Sequence, residues 1–354
     1  MCLAPNTRFD TSIDTMEAAE QAATALLGDP VRRVSQQRGG GNNRLYRIEG
    51  ADGRHYALKT YLHGSGDDRD RLGAEFGGLA FLRAQGLDSQ VPRAVARDPS
   101  RHCALFGWVD GDAVDHPTPR DLFQALCFVL DLYRLAQRPE AAALPLASEA
   151  CLSGAEVARQ IDRRLDRLLA ICDQRLRAFL IDVFAPAHEK YCDLAMARYE
   201  DMQLDFAQSI DHAALTLSPS DFGFHNAIRR TDGRLVFIDF EYFGWDDPVK
   251  LVADFLLHPG MSLDVELRRR FRRGAVAVFG GDHGFEARLR ALFPLYALRW
   301  CLIVLNEFLP ERWQRRDYAG AHQDREYALS TQLAKAKAML RQLEDANEEV
   351  FEDD

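Results

Sequence analysis

From Val31 the chain alternates apolar and polar residues in three short runs, VRRVSQQ, RLYRIEG and RHYALKTY, which predict three strands. The first joint is the glycine-rich RGGGNN and the second is ADGR, whose Asp52-Gly53 pair suits a tight hairpin turn. The period then lengthens. Leu72, Phe76, Leu79 and Leu82 recur at helical spacing, so a helix is expected from about Asp68 to Gln85, with Gly86 as its stop and Glu75 at the edge of its apolar stripe. QVPRAVARD and RHCALFGWVDG return to strand character, and a short helix is expected before the first strand, over Met16 to Leu27. The first hundred residues therefore read as a small sheet lobe with one main helix.

Beyond Gly111 the pattern is helical. Leu122, Leu126, Val129, Leu130 and Tyr133 line one face, and Val157, Ile161, Leu165, Leu168 and Cys172 line another. Two short strands, AIRR and LVFIDF, interrupt the helices and turn at Asp232-Gly233. More helices follow, with breaks expected at Pro259 and Pro294. The closing EDANEEVFEDD is a like-charged run expected to be frayed.

At 354 residues the chain exceeds what one core usually serves. Its net charge of −10 argues against a nucleic-acid or anionic-lipid partner, which would want a basic face. The 7 cysteines (Cys2, Cys103, Cys127, Cys151, Cys172, Cys192, Cys301) lie singly with no CxxC pair, which fits reduced thiols rather than disulfides or a zinc site. MCLAPNTRFDTSIDT lacks the basic-then-apolar order of a leader, and no segment approaches 18 uncharged apolar residues. These features lead us to expect a cytoplasmic protein.

Lysine is rare enough to be informative. Lys59 is the only lysine in residues 1–189, near the end of a predicted strand, where a compact ammonium rather than mere positive charge is wanted. A carboxylate on the next helix, Glu75, is its expected partner, because a half-buried ammonium without one is costly. Gly39, Gly40 and Gly41 could let backbone N–H groups approach phosphate, although glycine-rich turns are common.

The densest chemistry lies in LSPSDFGFHNAIRRTDGRLVFIDFEYFGWDDP. Asp221 is followed five residues later by Asn226 and thirteen further on by Asp239, at the end of an apolar strand where an unpaired carboxylate is expensive. Magnesium prefers such hard oxygens, so Asn226 and Asp239 are candidate ligands and Asp221 is a candidate base facing a hydroxyl.

This order of glycine loop, strand lysine, helix glutamate, D-x-x-x-x-N loop and strand-terminal aspartate resembles the protein-kinase-like fold, and IDFEYFGWDDP resembles its aminoglycoside phosphotransferase and choline kinase branch. The resemblance spans roughly Val31 to Pro259. It implies an α+β, bilobal fold with a small N-terminal antiparallel sheet lobe and a larger, mostly helical C-terminal lobe. It further implies ATP and Mg²⁺, with Lys59 on the phosphates, Glu75 orienting it, Asp221 as catalytic base, and Asn226 with Asp239 on the metal, assisted by Glu241. By position, LFGWVDG would be the hinge, so Phe106 and Trp108 are expected beside the nucleotide. The lobes would be 1–106 and 112–343 around a hinge at 107–111, with 344–354 as an acidic tail. Where the family reads H-G-D-x-H-x-x-N, this chain has Pro219 and Gly223 at the histidine positions, and Leu251 where an aspartate is common, with Asp254 a turn later.

A protein kinase fits less well, because only about ten residues separate Asp239 from DDP and an apolar helix. The expected activity is ATP-dependent phosphorylation of a small-molecule hydroxyl, in a sugar, amino sugar or amino alcohol. The alternative is a catalytically inactive nucleotide-binding protein on the same fold. Glu241, Asp246 and Asp247 could favour a cationic acceptor but could as easily bind metal or cap a helix, and Trp245, Trp300 and Trp313 could supply a stacking face, for which core packing is the stronger account.

Overall fold

The computed structural model describes residues 13, 15–37, 43–62, 69–261, 263–319 and 324–352. The expected phosphate-binding glycines, Gly39, Gly40 and Gly41, lie outside the described residues.

Helix α1 (Met16–Leu27) begins where the Thr15 side chain accepts from the Ala18 N–H and ends at Gly28 in the left-handed region. Strands β1 (Val31–Gln37), β2 (Asn43–Gly50) and β3 (His55–Tyr61) follow, then helix α2 (Arg71–Ala84), β4 (Ala94–Asp98) and β5 (Cys103–Gly107). They form one antiparallel sheet in the order β1-β2-β3-β5-β4. Because side chains alternate faces along a strand, Leu58 joins Ile48 and Leu105 under α1, while Ala57, Lys59 and Tyr61 face the other way, toward α2. Period two thus aims the lone lysine at the helix that carries its partner.

Helix α2 starts at Arg71, behind its Asp70 cap and three residues later than expected. Its buried residues include Arg71 and Glu75, whereas Phe76 is only half-buried. The expectation that Phe76 leads the core face and Glu75 sits at its edge is therefore corrected: the ion-pair network draws Glu75 inward. Gly78 lets α2 approach closely, since a Cβ there would lie 2.5 Å from the Phe243 ring.

After β5 the chain passes through β6 (Asp112–Ala113) into α3 (Pro119–Ala136), opened by a capping box between Thr118 and Asp121. Helices α4 (Gly154–Leu169), α5 (Gln174–Phe179) and α6 (Ala185–Asp201) lead to β7 (Thr216–Ser218), β8 (Ala227–Arg229), β9 (Leu235–Phe237) and β10 (Gly244–Asp246). β6, β8 and β9 form one small sheet, and β7 pairs with β10. Helices α7 (Pro248–Leu257), α8 (Val265–Val278), α9 (Phe285–Val304), α10 (Pro310–Ala319), α11 (Arg325–Arg341) and α12 (Leu343–Phe351) complete the chain. One apolar core runs continuously from Leu79 and Phe106 under the first sheet, through Phe128 and Phe237, to Phe255 and Leu298 among the helices.

Two expectations fail for identifiable reasons. Pro294 does not break α9: the Arg290 carbonyl, four residues earlier and deprived of its usual partner, accepts from Arg198 Nη1 at 2.8 Å. The acidic tail is not frayed through Phe351, because α12 buries Val350 and Phe351, and the Phe351 ring meets Phe293 edge-on at 5.3 Å with Arg290 over its face. The stretch Phe285–Phe308 is long and apolar enough to cross a bilayer by length and composition, yet 83% of its best window is buried inside the protein as core.

Candidate active site

The site forms where the first sheet meets the helical part. Lys59 Nζ lies 2.6 Å from Glu75 Oε2, 2.6 Å from Asp239 Oδ1 and 3.7 Å from Glu241 Oε2. Tyr61, two residues along the same strand face, donates to Glu75 Oε2 at 2.6 Å. Burial alone would strip the proton from Lys59, but Asp239, Glu75 and Glu241 hold it on well above the ordinary lysine range. Asp239 sits in the left-handed region, φ 66°, unusual for a non-glycine residue and a mark of a backbone held by its surroundings.

Asn226 stands beside this strand end because its carbonyl accepts from Ile238 N–H at 2.9 Å. Its Nδ2 donates to the Asp221 carbonyl (2.9 Å) and to Asp221 Oδ2 (3.2 Å). Lys59, Glu75, Asp221, Asn226 and Asp239 are thus linked into one cluster from five separate elements. Asp221 itself is a third exposed. Burial would raise its carboxyl, but the His225 hydrogen bond and the charges of His225 and His258 hold it down, to about 2.

The donor set suits a divalent cation. Asn226 directs its N–H protons at Asp221, which leaves Oδ1 as a neutral oxygen ligand. Glu75, Asp239 and Glu241 gather three carboxylates against the two cations Lys59 and Arg71. Of the three, Asp239 is the one open to solvent, at 34% exposure against 5% and 2%. Burial and the repulsion of Glu241 and Glu75 outweigh Lys59 and raise its carboxyl above the usual range, a surplus of charge that a metal would relieve.

Glu241 offers a carboxylate oxygen close enough to those of Glu75 and Asp239 for the three to share a cation, and it has further partners besides. It accepts from Asn43 Nδ2 at 2.6 Å and lies 3.6 Å from Arg71, so it ties the start of β2, α2 and the Asp239 segment together. Sequence reasoning missed Arg71 and Asn43; Arg71, one turn before Glu75, was the available signal.

Of the two readings open for the neighbouring carboxylates, the structure favours internal roles over a cationic-acceptor surface. Asp246 is fully buried against Lys250 at 2.8 Å, and Asp247 caps α7 while pairing with Arg288 at 3.4 Å. With Glu241 on Arg71 and Asn43, all three carboxylates are neutralised internally. The tryptophans are likewise anchored: Trp245 to the Ala141 carbonyl, Trp300 to Asp254 and Trp313 to the Glu307 carbonyl. Asp254 also meets Arg299 and Lys250, so it braces the helices rather than facing substrate. At the expected hinge, Phe106 is buried in β5, the Gly107 N–H binds Arg93 O and the Trp108 N–H binds His55 O.

This architecture is the protein-kinase-like fold, and solved structures share it over nearly their whole length. The gentamicin complex of APH(2")-IIa superimposes with a TM-score of 0.61 at 16% identity, covering 93% of this chain and 97% of that one. The choline kinase LicA from Streptococcus pneumoniae gives 0.55 at 15% identity, covering 92% and 98%. An ethanolamine kinase from Plasmodium vivax gives 0.54 at 14%, covering 88% and 84%. The chain belongs to the phosphotransferase enzyme family (APH), which its residues 33–292 match. No curated protein matches it at a significant level.

Proposed function

We propose that this protein transfers the γ-phosphoryl group of ATP to a hydroxyl of a small molecule. The observation that carries the reading is the convergence of Glu75 and Asp239 on the Lys59 ammonium, with Asn226 and Asp221 alongside. Catalysis of this kind is positioning plus charge neutralisation, and each residue has a part in one or the other. Lys59, held by Glu75, presents its remaining positive face to phosphate oxygens. Asp221, ionised at neutral pH, accepts a hydrogen bond from the acceptor hydroxyl, orients its oxygen for in-line attack and takes the proton late. Asn226 and Asp239 would hold Mg²⁺, which would supply positive charge to offset that of the phosphates. The Trp108 N–H is bound to the His55 carbonyl; in this reading the Trp108 carbonyl and the Val109 amide are the hinge groups that would meet adenine.

The test is an ADP-release screen over sugars, amino sugars, aminoglycosides, choline-like alcohols and hydroxy amino acids, with Asp221→Asn as the blank. Release that depends on one acceptor and vanishes in the variant supports the reading. Magnesium-dependent ATP binding with no release across the panel would favour a non-catalytic nucleotide-binding protein, the reading that Pro219 and Gly223 suggest.

A further inference from the structure

Gly223 is small for reasons of space, not of backbone. Its φ of 171° is extended and open to any residue, yet a Cβ there would lie 2.7 Å from Cε1 and Nδ1 of His225 and 2.8 Å from Met261 Sδ. The His225 ring therefore occupies the volume that a side chain at 223 would need. From there its Nε2 reaches Asp221 Oδ1 at 3.0 Å.

A second imidazole backs the first. His258, just past α7, stacks on His225 with ring centroids 3.6 Å apart and planes 8° from parallel, and its Nε2 lies 3.6 Å from the same Asp221 oxygen. Two contacts hold His258, and a third ties the neighbouring Met261 to the loop that carries His225. Trp300 meets His258 edge-on at 4.6 Å, the Gly260 N–H donates to His258 Nδ1 at 3.0 Å, and Met261 Sδ accepts from Phe224 N–H at 3.0 Å. Because His258 Nδ1 accepts the Gly260 N–H hydrogen bond, the ring in its neutral form carries its own proton on Nε2, facing Asp221.

Asp221, His225 and His258 lie close enough together to suggest a metal site. The hydrogen bonding argues otherwise: His258 Nε2 has no free lone pair while Nδ1 accepts the Gly260 amide, and parallel stacked rings do not converge on one ion. The array is built of donors aimed at a carboxylate.

We propose that His225 and His258 act as a paired imidazole clamp that positions the Asp221 carboxylate for phosphoryl transfer, and that Gly223 is required to admit it. The clamp would replace, from different chain positions, the support that Pro219 and Gly223 cannot give. Neither ring touches the reacting atoms, so both are positioning residues. The inference rests on Asp221 being the base, but its geometry can be tested separately.

The primary readout is ¹⁵N NMR of protein labelled at histidine imidazoles, which needs neither an acceptor nor a variant for its first result. We expect His258 as the Nε2–H tautomer, and we expect Asp221→Asn to shift the His225 and His258 signals together while the other histidines hold. A His258 with its proton on Nδ1, or a pair insensitive to Asp221→Asn, overturns the clamp. Gly223→Ala should uncouple His225 from Asp221 in the same spectra; an unchanged spectrum overturns the role given to Gly223. In turnover with the acceptor found by the screen, His225→Leu should fall at least about tenfold below His225→Gln in kcat, since Gln keeps a donor and misplacing a catalytic group by about 1 Å can cost about 10²-fold. KM for ATP should be alike in both; equal kcat values would overturn the positioning role. If the NMR coupling is present but Asp221→Asn retains wild-type turnover, the clamp stands and the base assignment falls.

Discussion

The ammonium of Lys59 and the carboxylate of Asp239, 180 residues apart in the chain, lie 2.6 Å from one another. That contact joins the sheet to the helical part at the point where the two elements must cooperate. It also gives the largely buried Lys59 ammonium a carboxylate partner from the helical part.

Lys59→Met should lower kcat/KM for ATP by about 10²-fold or more, because the phosphates lose a positioned charge and Glu75, Asp239 and Glu241 are left to repel one another. Lys59→Arg should rescue little, since a planar guanidinium does not fit between carboxylates only 2.6 Å from a single nitrogen. Steady-state ADP release, with circular dichroism to confirm folding, checks both variants.

Asp239→Asn should abolish magnesium-dependent turnover while leaving the fold intact. The variant removes a crowded negative charge, so its midpoint in urea should equal or exceed that of the wild type. Titration of Mg²⁺ against binding of a fluorescent ATP analogue, run beside denaturation, separates the lost ligand from lost structure. Retained turnover at ordinary Mg²⁺ would remove Asp239 from the metal site.

Gly78→Ala tests how Glu75 is positioned. The added methyl would sit 2.5 Å from the Phe243 ring, so α2 must shift, at a cost of about 1–3 kcal/mol, and carry Glu75 off Lys59. A Gly77→Ala control, where nothing lies within 4 Å, should be neutral or slightly stabilising. Thermal melts of the pair decide the point.

The pH dependence of stability should carry a signature of His258. Burial and the charge of His225 push it down to about 4, whereas in the unfolded chain it titrates near its ordinary value of about 6.5. The unfolded state therefore binds the proton first, so this contribution is complete above about pH 6.5 and is lost as the pH falls toward 4. Between pH 7 and pH 5 the loss is about 2 kcal/mol. Asp239 and Asp247, whose carboxyls are raised, act with the opposite sign over the same range. The readout is thus the difference in urea stability between wild type and His258→Gln at the two pH values.

Phe351→Ala should destabilise the protein by up to about 3 kcal/mol, at the lower end of the range for buried phenylalanine because α12 is terminal. Removing residues 343–354 should cost at least as much, since it uncovers Phe293. Denaturation midpoints of both forms measure this, and no change in either would mean that the last helix contributes nothing to the core.

The sequence alone carried the local half of this protein. Alternating residues over Val31 to Tyr61 and helical spacing over Leu72 to Leu82 gave the sheet and its helix, because both patterns are set by backbone geometry within a few residues. The rarity of lysine and the spacing of Asp221, Asn226 and Asp239 gave the candidate chemistry, and with it the resemblance that the family match bears out. What only the tertiary structure decided was who meets whom. Glu241 turned to Arg71 and Asn43, Asp246 and Asp247 were neutralised in the interior, and His225 and His258 met over Asp221 from sites 33 residues apart (258 − 225). Charges and hydrogen-bond donors find partners through space, and burial makes those pairings obligatory, so their identity has no period to read along the chain. The same holds for Pro294 and the acidic tail: a guanidinium from α6 and a ring on α9, both distant in sequence, overruled what each segment would do alone.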